Sequence, residues 1–207
     1  MVQSARRSCP LPPVTGLVLC GGQGRRMSPD GAGIDKAFVT FRGRPLVQHV
    51  IERMTPQVDT LILNTPSGPA WDALGCERVS DRLGTPNQPI GPLAGIHAGL
   101  KTIRTNWLVC TPCDTPFLPR NMTRTLFAEQ KRTDAMAVGV RCEGRLHPIL
   151  CLLHRGVVEG LERFIDGGGR RVEDWLRTIP AAWCAFPNAE SFINLNTRAE
   201  LEAMERP

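Results

Sequence analysis

The chain has 207 residues and a formal net charge of +5; 42% of its residues are hydrophobic and 22% are charged. This length and composition fit one globular domain with a sizeable core, and no apolar run approaches the ~20 residues that a membrane helix requires. Aromatic residues make up 5% and tyrosine is absent, which argues against base-stacking platforms, so we expect no nucleic-acid polymer as partner. For lack of a long apolar run, we expect no membrane partner either.

The first thirteen residues differ in composition from the rest of the chain. They contain arginines and prolines but no apolar centre, so they lack the pattern of a secretory signal. We predict a disordered lead-in over residues 1–13 and one domain over residues 14–207. Without an export signal, the expected location is the cytoplasm, where cysteines stay reduced.

Eight cysteines occur in the chain. Several of them, such as Cys20 and Cys151, lie in apolar runs, where cysteine behaves as a small hydrophobic residue. Cys110 and Cys113 have the spacing of a zinc or redox pair, but no second CxxC or Cys/His pair accompanies them. We therefore expect these cysteines to pack in the core rather than to bind a metal.

A glycine-rich turn with positive charge follows the first predicted strand, residues 14–19. The turn, residues 20–27, has the sequence CGGQGRRM, and Lys36 follows a little downstream. Glycines lack the Cβ atoms that would keep a phosphate away from backbone N–H groups, and the arginines and the lysine supply charge that can meet a polyphosphate. The pattern predicts a site for a nucleotide triphosphate. A tight strand–helix connection without a ligand is the alternative.

Two commoner phosphate-binding motifs do not fit this turn. A Walker A loop needs the pattern GxxxxGK[ST], which does not occur in the chain. A dinucleotide fingerprint needs GxGxxG, but Met27 stands where its last glycine belongs. A dinucleotide-binding oxidoreductase is therefore disfavoured.

Apolar runs alternate with helical patterns along the rest of the chain. This alternation predicts an α/β domain with a mostly parallel sheet flanked by helices. The predicted elements after the first strand are an extended piece at 38–41, a helix at 45–54, strands at 60–63 and 77–79, a helix at 91–101, a strand at 106–110, a helix at 121–130, a strand pair at 135–140 and 148–153, helices at 156–166 and 170–178, a strand at 181–186 and a helix from 197.

Polar residues follow three of the predicted strands at their carboxyl ends, namely Asn64, Asp81 and Asp114. In open parallel sheets this edge is where ligands bind. We therefore predict one site that combines these residues with the segment from Gly21 to Lys36. Asn64 and Asp81 are short polar groups that can hydrogen-bond a base or a ribose, although turn formation explains them equally well.

Asp114 lies between Pro112 and Pro116, so a stiff turn presents its carboxylate. Such a carboxylate suits Mg²⁺, which takes one or two carboxylates together with phosphate oxygens and water. Lys36 would bind triphosphate oxygens and stabilise the charge that develops in the transition state. The alternatives are an aspartate that only forms a turn or a helix cap, and an ordinary surface lysine.

Six segments resemble, in order over about residues 14–205, the molybdenum cofactor guanylyltransferase family. They are LCGGQGRRM at 19–27, DK at 35–36, GRPL at 43–46, GPLAGI at 91–96, PCDTPFLP at 112–119 and NLNT at 194–197. Many nucleotidyltransferases share the first string, whereas the last three are more specific in combination. The resemblance implies a Rossmann-like nucleotidyltransferase fold in a single domain, and transfer of GMP from GTP to molybdopterin with release of pyrophosphate.

The resemblance also implies roles for individual residues. On the nucleotide side it implies a GTP site formed by Leu19, Cys20, Gly21, Gly22, Lys36, Asn64, Asp81 and Asp114. It implies Mg²⁺ at Asp114, catalysis by Lys36, Asp114 and Arg25, and a pterin side formed by His147, Asn194 and Asn196. Asn196 or Thr197 alternatively caps the last helix. Two departures from the family pattern are Cys20, where alanine is usual, and a longer segment between Met27 and Asp35.

The expected reaction is an in-line displacement in which a terminal phosphate oxygen of molybdopterin attacks the α-phosphorus of GTP. The partners expected are GTP and molybdopterin, with molybdoenzyme maturation proteins left open, and the chain is expected to be a monomer or a weak oligomer. Cytidylyl transfer and transfer to a sugar phosphate are the closest alternatives. A nucleotide or cofactor carrier without catalysis is an alternative from another class.

Overall fold

The computed structural model describes residues 10–21, 35–66, 68–85 and 89–205. Within these ranges the strands are β1 (Val14–Leu19), β2 (Thr40–Phe41), β3 (Arg44–Pro45), β4 (Thr60–Asn64), β5 (Glu77–Val79), β6 (Trp107–Pro112), β7 (Ala137–Cys142), β8 (Arg145–His154) and β9 (Ala181–Phe186). The α-helices of the same ranges are α1 (Leu46–Met54), α2 (Pro69–Asp72), α3 (Pro92–Thr102), α4 (Met122–Thr133), α5 (Val158–Asp166), α6 (Val172–Leu176) and α7 (Arg198–Glu205). Short 3₁₀ helices cover Lys36–Phe38, Thr55–Gln57, Arg155–Val157 and Ala189–Phe192.

The main sheet of the described chain has the strand order β5-β4-β1-β6-β8-β7-β9. β8 runs antiparallel to both β6 and β7, while the other neighbouring pairs are parallel. The carboxyl ends of β1, β4, β5, β6, β7 and β9 therefore meet at one edge, which we call the carboxyl edge. The amino end of β8 lies at the same edge. The predicted α/β fold with a mostly parallel sheet is confirmed.

Helices cover both faces of this sheet, as expected where strands are apolar on both sides. Successive side chains of β1 point to opposite faces, so that Val18 belongs to the apolar cluster that includes residues of α1 and α4, whereas Leu17 belongs to the cluster that includes residues of α3, α5 and α6. Both side chains are fully buried. This double burial fixes β1 in the middle of the sheet and holds its carboxyl end in place.

A smaller apolar cluster joins the region of β2 and α1 to the carboxyl-terminal part of the described chain. It contains Phe41 of β2, Leu46 of α1, Leu195 of the segment before α7, and Leu201 of α7. Each of these side chains is at most 5% exposed. Leu195 also donates its backbone N–H to the carbonyl of Asp114, at 3.0 Å. The segment before α7 is thus attached to the turn that follows β6.

Most predicted elements are present, with shifted bounds. Phe38, predicted to begin an extended piece, is instead the last residue of the 3₁₀ helix Lys36–Phe38, which the Asp35 side chain caps by accepting the N–H of Ala37. Pro45 precedes α1 in an extended conformation instead of opening it. β6 continues to Pro112, two residues beyond the prediction, because it stays in register with β1 as far as Leu19.

Two further differences concern short elements. Helix α2 begins with Pro69 and has four residues, which is too short for a periodic pattern to predict it. The strand pair β7–β8 is longer towards its turn than predicted, because Glu143 and Gly144 take positive φ values of 47° and 76° and make a tight two-residue connection. None of the helices in the described ranges combines the length and apolarity needed to cross a bilayer.

Candidate active site

Asp114 occupies the turn directly beyond β6, at the centre of the carboxyl edge. The N–H of Cys113 donates to the carbonyl of Leu19 at 3.1 Å and continues the β1–β6 ladder into this turn. The Asp114 side chain is only 12% exposed, and its Oδ2 pairs with the ammonium group of Lys36. Its Oδ1 is buried and has no hydrogen-bond partner among the described residues. A buried carboxylate oxygen without a partner is costly unless a ligand or cation satisfies it.

Lys36 contacts Asp114 from a different element, the 3₁₀ helix Lys36–Phe38. It is the first residue of the 3₁₀ helix that Asp35 caps, and the neighbouring Ala37 is fully buried. Its Nζ donates to Asp114 Oδ2 and to Oδ1 of Asn196. Burial raises the pKa of the Asp35 carboxyl, partly opposed by the N–H of Ala37. The structure brings Lys36 and Asp114, both predicted as site residues, into direct contact.

Asn64 and Asp81 form a second polar pair at the same edge. Asn64 is the last residue of β4 and is 4% exposed. Its Nδ2 donates to the carbonyl of Val79 at 3.2 Å and to Oδ1 of Asp81 at 2.8 Å. Because both amide hydrogens are used, the remaining function of the Asn64 side chain is its acceptor Oδ1, which lies near Gly21. The exposed Asp81 is thus held in place by a buried amide.

Helix α3 makes room for Asn64 through a glycine. A Cβ atom at Gly95 would lie 2.2 Å from Asn64 Oδ1 and 2.6 Å from Leu19 Cδ2, distances at which something must move. Gly91, four residues earlier, has a positive φ of 72° and shapes the start of the helix before Pro92. The two glycines of the GPLAGI segment therefore have different structural reasons: Gly91 allows the turn before α3, and Gly95 leaves space for Asn64.

The residues expected on the pterin side are placed differently from one another. Asn196 contacts Lys36 and so belongs to the Lys36–Asp114 group. Asn194 is exposed on the same segment. His147 lies near the start of β8, half-buried, with its ring 5.4 Å from that of Phe192. Burial lowers the pKa of His147, and the charge of Arg145 lowers it further, so this ring favours the neutral form.

The last residue of β1 and the first residue of the glycine turn are buried. Leu19 and Cys20 are 7% and 3% exposed, and the Cys20 N–H donates to the carbonyl of Asn64 at 2.9 Å. A hydrogen bond with Cys113 and burial raise the pKa of the Cys20 thiol far above its usual range, so it stays protonated and packs as a small apolar group. The predicted phosphate-site residues Gly22 and Arg25 lie outside the described residues.

Glu200 is a site-related residue that the sequence analysis missed. Its carboxylate accepts hydrogen bonds from the N–H groups of Asn196 and Thr197. The sequence contains a pattern that could have identified Glu200, because Thr197 and Glu200 have the spacing of a helix capping box. Thr197 does cap α7, as the alternative interpretation of the NLNT segment held, while Asn196 faces Lys36.

The position of these groups defines the class of protein. Open α/β sheets bind ligands at their carboxyl edge, and here that edge presents a lysine beside a partly satisfied carboxylate, an arrangement suited to phosphate and a cation. The molecule has the fold and the site position of an α/β nucleotidyltransferase.

Comparisons with known proteins identify the family. Residues 16–181 match the family model of the MobA-like NTP transferase domain. The chain is 36% identical over 198 residues to molybdenum cofactor guanylyltransferase of Cupriavidus pinatubonensis, covering 93% of this chain and 96% of that one. It is 34% identical over 205 residues to the protein of the same name from Ralstonia nicotianae, covering 94% and 97%. The chain belongs to the MobA-like NTP transferase domain family, which confirms the resemblance found in the motifs.

Solved structures agree on the fold. Molybdopterin-guanine dinucleotide biosynthesis protein A from Archaeoglobus fulgidus superposes with a TM-score of 0.71 at 24% identity, covering 92% of this chain and 96% of that one. A CMP:2-keto-3-deoxy-manno-octonic acid synthetase complexed with CTP superposes with a TM-score of 0.69 at 13% identity, covering 93% and 95%. At these identities the likeness supports the predicted nucleotidyltransferase fold alone.

Proposed function

We propose that this protein transfers GMP from GTP to molybdopterin, releasing pyrophosphate and forming the guanine dinucleotide form of the cofactor. The substrates are inferred from the names of relatives that match nearly the whole chain at 33–36% identity. The observation that carries the chemistry is the contact between Lys36 and Asp114 at the carboxyl edge, with Asp114 Oδ1 left without a partner in the described chain.

The donor set at Asp114 fits a magnesium ion. In the described part of the chain no three His, Cys, Asp or Glu side chains are grouped to hold a metal, and Mg²⁺ typically uses one or two carboxylates with phosphate oxygens and water. A structure of Rv0371c from Mycobacterium tuberculosis was solved in complex with manganese, at 17% identity to this chain. Asp114 would hold the ion through Oδ1, and the ion would neutralise phosphate charge.

The transfer needs little acid–base chemistry from the protein. A terminal phosphate oxygen of the acceptor, ionised at pH 7, forms a bond to the α-phosphorus of GTP, and the bond to the pyrophosphate oxygen breaks with its electron pair on pyrophosphate. Lys36, whose side chain is 16% exposed, is placed to bind the triphosphate and to offset the negative charge that develops. Arg25 is proposed to assist, and Gly22 to line the phosphate site.

The Asn64–Asp81 pair is proposed to select the base. Asn64 Oδ1 and the carboxylate of Asp81 are acceptors, and Gly21 leaves space beside them. The Watson–Crick edge of guanine carries two adjacent donors, N1–H and the N2 amino group, which match acceptors. Leu19, Cys20 and Gly21 would line the GTP site through backbone atoms. His147 and Asn194 are proposed to face the pterin.

Nucleotide binding followed by product analysis tests the proposal. Thermal unfolding is measured with Mg²⁺ and separately GTP, CTP, ATP or UTP, since a ligand that binds only the folded state stabilises it by about 2.7 kcal/mol at a hundredfold excess over Kd. We expect selective stabilisation by GTP, and release of one pyrophosphate per guanine dinucleotide when molybdopterin is added. Selective stabilisation by CTP would indicate cytidylyl transfer, and GTP binding without pyrophosphate release would indicate a carrier.

Other expectations are kept as predictions. These are a cytoplasmic location, a monomeric or weakly oligomeric state, an interaction with molybdoenzyme maturation proteins, and the absence of nucleic-acid partners. Size-exclusion chromatography with light scattering measures the oligomeric state directly, and a stable oligomer of more than two chains would contradict that prediction.

A further inference from the structure

Lys36 is held by two acceptors of different charge. Asp114 Oδ2 is an ionised acceptor and Asn196 Oδ1 a neutral one. If Asp114 engages a cation, the cation repels the Lys36 ammonium and weakens its contact with Asp114. The neutral Asn196 Oδ1 then remains as the acceptor that can hold the Lys36 ammonium without cancelling its positive charge.

Asn196 is exposed, so the direction of its side chain depends mainly on how its backbone is held. On one side it follows Leu195, whose side chain is fully buried and whose N–H is bonded to the Asp114 carbonyl at 3.0 Å. On the other side it precedes the cap of α7. The direction of the Asn196 side chain is therefore set by how firmly the backbone between Leu195 and α7 is held.

Glu200 supplies a hydrogen bond beyond the usual capping box. In a capping box the acid in the first turn accepts the N–H of the cap residue, and here Glu200 Oε2 accepts the N–H of Thr197 at 2.8 Å while Thr197 Oγ1 accepts the N–H of Glu200 at 3.2 Å. Glu200 Oε2 additionally accepts the N–H of Asn196, at 2.7 Å. These N–H groups, with the nearby charge of Lys36, lower the pKa of Glu200.

We infer that Glu200 is a positioning residue for the transfer reaction: by holding the N–H of Asn196 it keeps Asn196 Oδ1 against Lys36 Nζ, so that Lys36 stays aimed at the triphosphate when Asp114 binds the cation. This inference rests on the proposed function for its effect on turnover. It assigns to the cap of α7 a role in aligning a catalytic group, not only in starting a helix.

The test compares three variants by kcat, by KM for GTP and by thermal stability. Glu200→Ala removes both carboxylate bonds, and we expect kcat to fall about tenfold with a smaller change in KM, because misalignment of Lys36 acts mainly in the transition state. Glu200→Gln keeps an acceptor oxygen, and we expect it to retain kcat within about threefold. Thr197→Ala removes the helix cap but leaves Glu200 free to accept the Asn196 N–H, and we expect it to lower stability with kcat within about twofold.

Two kinetic outcomes would overturn the inference. If Thr197→Ala and Glu200→Ala lower kcat equally, the cap acts only by starting α7. If Glu200→Ala still lowers kcat severalfold in an Asn196→Ala background, Glu200 does not act through Asn196, since residues of one chain of contacts are expected to be non-additive.

A second readout does not depend on turnover. Brief exposure to acetic anhydride followed by peptide mass spectrometry measures how readily the Lys36 amine is acylated. We expect faster acylation of Lys36 in Glu200→Ala than in the wild type or in Thr197→Ala, and equal rates would contradict the inference. A wild type that forms no guanine dinucleotide but shows this acylation pattern would contradict the proposed function and leave the positioning of Lys36 supported.

Discussion

The two halves of the carboxyl edge are built in different ways. In the half proposed to bind the nucleotide, which we call the nucleotide side, β1, β4, β5 and β6 are parallel, and the polar residues Asn64 and Asp114 lie at or just beyond strand ends. In the half proposed to bind the pterin acceptor, which we call the acceptor side, the antiparallel strand β8 reverses the chain, and the polar residues come from its start and from the segment before α7. The first half is positioned by strand register, the second by contacts between distant parts of the chain.

The two halves differ in the contacts that fix the positions of their polar residues. Asn64 lies beside Asp81 because β4 and β5 are in register at Asn64 and Val79. Asn196 meets Lys36 across 160 residues of sequence, through the apolar cluster around Leu195 and the Glu200 cap. Substitutions should therefore lower activity for different reasons on the two sides. On the nucleotide side they disturb the local geometry at the strand ends, and on the acceptor side they remove a contact between segments that are far apart in the sequence.

The largest effect is expected at Asp114, where the two halves meet. Asp114→Asn keeps the shape of the side chain but removes the charge that pairs with Lys36 and would hold the cation. We expect guanylyl transfer to fall by about 10²–10³-fold while the unfolding temperature changes little. Pyrophosphate release and thermal unfolding measure the two quantities.

A matched control for this substitution is Asp134→Asn. Asp134 is an exposed residue in the left-handed conformation after α4, which asparagine also adopts readily. Activity of Asp114→Asn within tenfold of the wild type would contradict the assignment of Asp114 as a metal ligand.

Gly95 offers a test of the nucleotide side by itself. Gly95→Ala would place a Cβ against Asn64 and displace it from Asp81, so we expect GTP affinity to fall about tenfold, together with an overpacking cost of about 1–3 kcal/mol. Gly99→Ala is the control on the same helix, since the three atoms nearest to its Cβ would belong to Leu17 and Leu108 rather than to Asn64. Calorimetric titration with GTP measures affinity; an equal loss in both variants would mean that Gly95 serves packing alone.

A smaller loss is expected when the Asn64–Asp81 pair is altered. Asn64→Asp sets a carboxylate opposite that of Asp81 and opposite the Val79 carbonyl, so we expect GTP to bind severalfold more weakly through repulsion. The double exchange Asn64→Asp with Asp81→Asn restores a donor between the two positions and should recover part of the affinity. Absence of any recovery in titrations would indicate that the pair does not act as a unit.

The smallest effect concerns the acceptor side. Because burial and Arg145 lower the pKa of His147, the unfolded chain binds a proton near the usual histidine pKa of about 6.5 while the folded chain resists it. Stability should therefore fall as pH drops from about 7 to 5, and rise again with pH. His147→Gln should make this fall shallower in thermal unfolding measured at several pH values, and an unchanged slope would contradict the shift.

Local sequence patterns predicted the parallel strands better than the contacts between distant segments. Apolar runs predicted the end of β4 at Asn64 to within one residue and the end of β6 before Asp114 to within two residues. The function of Gly95 was not predictable, because its neighbour Asn64 lies on another element and only the packed structure shows the close approach. The placement of Asn196 at Lys36, and with it Glu200, depends on long-range contacts that no local pattern reports.

The attachment of Leu195 to Asp114 also bears on the order in which the molecule is made. Strands β1, β4, β5 and β6 are complete by Pro112, so the parallel half can form early, because chains tend to fold from the amino end during synthesis. Leu195, Asn196 and Glu200 are synthesised well after these strands. A nascent chain can thus form the parallel half of the sheet well before Lys36 gains its second acceptor, and the competent enzyme would arise only once the segment that contains Glu200 has been made.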